Sequence, residues 1–353
     1  MRRPTQGPLT STARLTALSG IAIAAVLACG CSGSNDPAAT NGSSEGTGTV
    51  GAASGGGKLN IVTTTAMVTD IVTVVAGDRA TVTGLISGIQ DPHMFTTGIN
   101  DTKRMLGADA VFYTGLMLEG RMADDFAHVG RKGNPVFPVT EGLDREKLRE
   151  PPEFEGHWDP HVWMDVELWS ECVGHVAKEL GALDASSSDD YQARADKYRK
   201  QLTELDGYIE KVIATIPTEQ RFLVTAHDAF GYFAQAYGIE VKAIQGISTD
   251  SQAAISDINS LVDFIVENKV PAIFVESSVS QKNIEAVIEG CGSRGWTLKI
   301  GAELYSDAMG ASGTYEGTYI GMMDHNATRI AIALGGEAPE KGWQGKLSDS
   351  KDH

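Results

Sequence analysis

Three histidines stand out by their neighbours rather than by their number. His93 closes the triplet Asp91-Pro92-His93, His161 opens the second half of Asp159-Pro160-His161-Val162-Trp163-Met164-Asp165, and His227 follows Val224-Thr225-Ala226. In each Asp-Pro-His triplet proline fixes the backbone before the imidazole. The flanking carboxylate, Asp91 or Asp159, can hold the far ring nitrogen, the support that metal-bound histidines usually have. A single strand-end histidine is more often a packing residue, but two triplets and a third strand-end histidine together point to a site for a divalent metal. A cation there needs a carboxylate to offset its charge. Asp307, in Leu304-Tyr305-Ser306-Asp307-Ala308-Met309-Gly310, is the best candidate, although a loop aspartate capping the next helix fits its spacing equally well. Glu276, at the end of a predicted strand, faces the same edge and is either a support for a ligand or a buried hydrogen-bonding carboxylate.

These side chains meet only if strands alternate with helices, because ligands of open α/β sheets collect at the carboxyl ends of the strands. The sequence predicts that alternation twice. Residues 59–64 read as a strand, Met67, Ile71, Val74 and Val75 fall at helical spacing, and 81–86, 101–106 and 109–113 read as strand, helix and strand. After residue 220 come strands at 221–226, 241–244, 272–276 and 296–300, with helices at 228–237, 251–268 and 283–290 between them. In the middle, Tyr191, Ala195, Tyr198, Leu202, Leu205, Tyr208 or Ile209, Val212 and Ile216 recur at spacings of three and four between charged residues. They predict one long amphipathic helix within 186–217, about 40 Å in length. The expected fold is α/β: two lobes with mainly parallel sheets joined by one long, rigid α-helix.

Length and composition agree. At 353 residues the chain suits two domains, and 42% hydrophobic content excludes a wholly disordered protein. A net charge of −17 without a cluster of Lys/Arg excludes a nucleic-acid binder. Of four cysteines, two lie within the first 31 residues. Arg2, Arg3 and Arg14 precede an apolar run over 15–28 with no acid before Asp36, the layout of a secretory signal. Val26-Leu27-Ala28-Cys29-Gly30-Cys31 resembles the lipobox of bacterial lipoproteins, with Cys29 as the lipidated residue and Cys31 as the alternative; an ordinary signal cut without lipidation is the plainer reading. Removing residues 1–28 takes away three arginines and no acid, so the charge goes from −17 to −20. The following stretch, rich in Gly, Ser, Ala and Thr, cannot bury enough surface to order itself and reads as a tether of about 30 Å. The expected plan is a signal at 1–28, a tether at 29–57, lobes at 58–185 and 218–335, a linking helix at 186–217 and a polar tail at 336–353.

The stretches around His93, His161 and His227, with Glu303 to Gly310 and Tyr315-Glu316-Gly317-Thr318-Tyr319-Ile320-Gly321-Met322, resemble the TroA-type (cluster A-I) metal-binding lipoproteins of bacterial ABC importers. The similarity covers about residues 58–335. It implies a single metal held between the lobes, by His93 and His161 from the first and His227 and Asp307 from the second. It further implies an extracytoplasmic, lipid-anchored monomer that hands Mn²⁺ or Zn²⁺ to a permease driven by an ATPase. Manganese-type members often have Glu at the third position, whereas His227 resembles members that accept zinc as well. The His- and acid-dense loop common in zinc-dedicated relatives is missing, since 119–160 contains only His128 and His157. Three imidazoles and one carboxylate suit zinc intrinsically, and a bidentate Asp307 would suit manganese; iron ranks behind both.

The other candidates carry less. Pro160 forbids a regular helix joining His157 to His161, His175 and His325 fall within helices as packing or surface residues, and His128 and His353 have no supporting context. Cys172 and Cys291 read as small thiols, and Trp158, Trp163 and Trp169 as core and rim packing. Two alternatives to transport remain: an exported metallohydrolase, which would need an open metal position and a general base, and an adhesin.

Overall fold

The computed structural model describes residues 57–348 except Glu155 and Ser251. The signal segment with Cys29 and Cys31, nearly all of the tether and the last five residues lie outside the described residues.

The first half is a parallel sheet in the order β2-β1-β3-β4, built from β1 (Leu59–Thr63), β2 (Ala80–Gly84), β3 (Ala110–Tyr113) and β4 (Val136–Pro138). Its apolar strands are covered on both faces, as a parallel sheet requires. Helix α1 (Ala66–Ala76) follows β1 because the Thr65 hydroxyl accepts the Val68 N–H, and it ends at Gly77 with φ +58°. Met67, Val68, Ile71, Val72 and Val75 form its buried face. Helices α2 (Ile99–Leu106) and α3 (Ala123–Arg131) flank the other face, where Val62, Met105, Val111, Phe126 and Val129 form a smaller core. The sequence reading did not include α3 or β4. The one is nine charge-dense residues, the other three residues ending in a proline.

Helix α4 (Val166–Leu183) is capped by Asp165, whose carboxylate accepts the N–H groups of Glu167 and Leu168. It packs on α5 (Ser188–Ala214), the predicted long helix, shorter at both ends than 186–217 but still about 40 Å in length. Tyr191, Ala195, Tyr198, Leu202, Leu205, Ile209 and Val212 make its buried stripe. Polar contacts fix it at intervals. Arg194 donates to the carbonyls of Val75 and Ala76 at 2.7 and 3.0 Å, closing the end of α1, and the Tyr198 hydroxyl donates to Asp70 at 2.9 Å. Farther along, the Tyr208 and Thr328 hydroxyls meet at 2.8 Å.

The second half holds two parallel pairs, β5 (Phe222–His227) with β6 (Glu240–Gln245) and β7 (Ala272–Glu276) with β8 (Lys299–Leu304). Strands β5 and β7 lie side by side. Helices α6 (Gly231–Tyr237), α7 (Ile255–Asn268), α8 (Lys282–Ser293) and the closing α9 (Tyr319–Ala333) complete it. The close backbone crossing at the first turn of α9 requires glycine: a Cβ at Gly321 would stand 1.8 Å from the Tyr315 carbonyl oxygen.

Two sequence expectations shift. The helix expected from Asp228 starts at Gly231, because the chain turns at His227, where the Ala229 N–H bonds the His227 carbonyl. The last strand begins at Lys299 rather than at Trp296. Gly295 at φ +80° reverses the chain, and the Trp296 indole donates to the Val270 carbonyl instead of lying on the strand. Among the described residues no helix is long and apolar enough to cross a membrane.

Candidate metal centre

Both Asp-Pro-His triplets fold as tight local turns. Asp91 accepts the backbone N–H of His93 at 2.8 Å, and Asp159 accepts that of His161 at 3.0 Å, each two residues ahead, a bond that short acidic side chains make readily. Their further roles differ. Asp159 also holds the His161 ring, Oδ1 to Nδ1 at 2.8 Å. Asp91, expected to do the same for His93, turns its second oxygen to the Thr249 hydroxyl at 2.5 Å and so reaches across to the second half.

His227 is the last residue of β5, and Asp307 lies three residues beyond the end of β8. Glu276, the last residue of β7, accepts the backbone N–H groups of Ala226 and His227 at 2.7 and 2.9 Å through Oε1, while its Oε2 faces Nδ1 of His227. The Asp307 loop is steadied from both sides. The Trp163 indole, packed against the His161 ring, donates to the Ser306 carbonyl at 2.9 Å, and Asn326 makes a reciprocal pair of bonds with the Tyr305 backbone.

The result is a closed cluster of His93, His161, His227 and Asp307, with exposures of 7, 0, 0 and 2%. Nε2 of His93 lies 3.3 Å from Nε2 of His161 and 3.7 Å from an Asp307 oxygen; Asp307 lies 3.3 Å from His161 and 3.1 Å from His227. Four ligands arranged tetrahedrally on bonds of about 2.0–2.1 Å stand about 3.3 Å apart; these four separations lie close to that value, and all the ligand atoms lie within 4.8 Å of one another, a spacing that could hold one cation. Direction agrees with distance. Both Asp307 oxygens and Nε2 of His227 are buried yet make no hydrogen bond of acceptable geometry, as when lone pairs aim at a common centre. Both oxygens face the imidazoles, leaving monodentate and bidentate binding open.

Electrostatics within the cluster is strongly polarised. Burial raises the Asp307 carboxyl, but the His227 and His161 imidazoles outweigh it and hold it well below the usual range. Burial lowers His161, but its bond to Asp159 and the Asp307 carboxylate beside it raise it to about 9, and the charges of Glu276 and Asp307 likewise carry His227 well above its ordinary value. His93 is pushed by burial down to about 3, the more distant Asp307 carboxylate offsetting only part of that and the two neighbouring imidazoles adding to it. A divalent cation bound here would compete with protons for the imidazole nitrogens, so its affinity would fall as the pH is lowered.

A cleft of about 300 Å³ reaches His93 between Met117, Arg121, His157, Ser248 and Asp250. Arg121 and Asp250 pair across it at 2.7 Å. His157 is exposed on its wall, His175 stands on α4 beside Glu179 at 3.8 Å, and His325 lies on α9, its Nε2 on the Glu303 carbonyl at 2.9 Å. His128 is on α3, and none of these joins the cluster. Cys172 and Cys291 are buried free thiols outside it. Sequence reasoning missed the contributions of Arg149, Tyr232 and Thr249. Only proximity in the fold reveals them.

Residues 61–333 match the model of a family described as zinc-uptake complex component A, periplasmic. The chain is 42% identical over 278 residues to the manganese-binding lipoprotein MntA of Bacillus subtilis, covering 78% of this chain and 90% of that protein. It is also 42% identical over 278 residues to the zinc-binding protein TroA of Treponema pallidum, covering 79% and 89%. The solved structure of that periplasmic zinc-binding protein superposes with a TM-score of 0.76, over 79% of this chain and 99% of the other.

Proposed function

Because the chain belongs to the family of periplasmic zinc-uptake components A, we propose that it is the substrate-binding component of a metal ABC importer, capturing Mn²⁺ or Zn²⁺ outside the cytoplasm. One observation carries this reading: four buried ligand groups from separate stretches of the chain bring one donor atom each within 4.8 Å of one another, with Asp307 3.1–3.7 Å from each imidazole. The metal is cargo. It is bound by His93, His161, His227 and Asp307 and passed to a membrane permease with its ATPase. Relatives named for manganese and for zinc are equally similar to this chain, which fits a donor set able to serve both metals: three imidazoles for zinc, and two inward carboxylate oxygens for manganese. A hydrolytic metal keeps a coordination position open for water. Here four protein groups converge on one buried point, which favours holding a cation over activating water on it.

Calorimetric titration tests the site. The wild type should bind one Mn²⁺ or Zn²⁺, and His93→Ala or His227→Ala should abolish stoichiometric binding while the metal-free chain stays folded; unchanged titrations in both variants would remove the assignment. A lipid anchor on Cys29, or on Cys31, would keep a monomer at the membrane surface by its tether. Membrane fractionation checks it: the double variant Cys29→Ala/Cys31→Ala should become soluble, and continued membrane association would defeat the anchor.

A further inference from the structure

Asp159 is bound at every polar atom, and three of its partners lead to one arginine. Its backbone N–H donates to the Arg149 carbonyl at 2.8 Å, and its Oδ2 accepts from Nη1 of Arg149 at 2.5 Å. Its carbonyl accepts from the Tyr232 hydroxyl at 3.0 Å, and that hydroxyl in turn accepts the Arg149 backbone N–H at 3.0 Å. Only Oδ1 faces the metal side, where it holds the His161 backbone and ring. The Arg149 guanidinium lies over the Tyr232 ring at 5.6 Å. Its place is kept by an absence: a Cβ at Gly231 would stand 1.4 Å from Nη1 and 2.2 Å from Cζ of Arg149. Asp159 and Arg149 come from the first half and Gly231 and Tyr232 from α6 in the second. Glu276, which supports His227, takes two backbone N–H groups where Asp159 takes a guanidinium.

We infer that Arg149 is a positioning residue for metal capture, acting through Asp159 on the His161 imidazole and itself seated by Gly231 and Tyr232. A carboxylate free to rotate would let the ring turn about its bonds. A guanidinium on the opposite oxygen fixes the carboxylate plane and moderates its pull on the Nδ1 proton, which sets how strongly Nε2 donates to the cation. Because the seat of Arg149 is on α6, this first-half ligand is braced by the second half, and moving α6 away would slacken His161. The inference rests on reading the four-residue cluster as the metal site.

The test compares wild type with Arg149→Met, Arg149→Lys, Gly231→Ala and Tyr232→Phe by Zn²⁺ and Mn²⁺ titration and by the visible absorption of the Co²⁺-loaded protein. Arg149→Met and Gly231→Ala should each weaken binding about 10- to 100-fold and shift the Co²⁺ bands, the usual scale for losing an outer partner of a metal-bound histidine. Arg149→Lys should recover part of the loss, Tyr232→Phe should lose less, and the Arg149→Met/Gly231→Ala pair should be no worse than the stronger single variant. Wild-type affinity and Co²⁺ bands in Arg149→Met would overturn the inference whatever the other variants do. So would a lowered melting temperature with unchanged bands, since that marks a merely structural role. Failure of the site reading itself would look different, as absence of stoichiometric binding by the unmutated protein.

Discussion

The two halves of the proposed metal site are supported by opposite means. In the first, each histidine is set by an aspartate two residues earlier, so the turn that aims it is made from three consecutive residues. In the second, His227 is set by Glu276, 49 residues away on another strand. Local support costs little chain entropy and forms with the turn. Distant support exists only once β5 and β7 lie side by side, and until then neither the histidine nor the glutamate has a partner. One half of the site is written into short motifs, and the other is assembled by the fold.

Removing the distant support should therefore hurt most. Glu276→Ala orphans two buried backbone N–H groups, at about 1–3 kcal/mol each, and frees the His227 ring, so metal affinity should fall toward the upper end of a 10- to 100-fold loss and the melting temperature should drop as well. Calorimetry and thermal melts on one preparation check both.

Next in size is a carboxylate remote from any ligand. Burial raises Asp70, on α1 against Tyr198, to about 6 from 3.8. A carboxyl whose folded pKa is raised favours the protonated fold, so its contribution is full below pH 3.8, is lost as the pH rises to about 6, and stays lost above. Asp70→Asn keeps an acceptor for Tyr198 without the charge. It should stabilise the protein by about 2 kcal/mol at pH 7.5, with the gap closing by pH 4, and leave metal binding untouched. A melting difference that does not change between those two pH values would refute it.

Smallest is the loss of a local support. Asp91→Ala removes one acceptor from the His93 turn and the bond to Thr249 but leaves the ring contacts in place, so affinity should fall by no more than about tenfold. If its titration matched that of Glu276→Ala, the distinction between local and distant support would collapse.

The same distinction explains what could be read from the sequence. The alternation of apolar runs and helical spacings was enough for the α/β class, the parallel strands and the long helix, because each signal lies within one element. All four residues that the structure brings together stood out beforehand, His93 and His161 by their triplets, His227 and Asp307 by following strands. The roles of the carboxylates were only half legible: Asp159 meets its ring, while Asp91 spends its second oxygen on Thr249, a partner 158 residues away. Arg149 and Gly231 carried no signal, since an arginine in an irregular stretch and a glycine before a helix are commonplace until 82 residues of chain fold one against the other. The start of β8 was misplaced because Trp296 reads as a strand residue by type and is held elsewhere by its indole N–H.

Helix α5, seated on α1 through Arg194 and Tyr198 and on α9 through Tyr208, works as a torsion bar. Rocking of one lobe against the other twists it slightly, whereas a wide swing would tear it from its seats. If the cluster holds the metal as proposed, its grip would be that of a stiff frame, and a docking partner would have to loosen it by leverage on that frame rather than by melting a hinge.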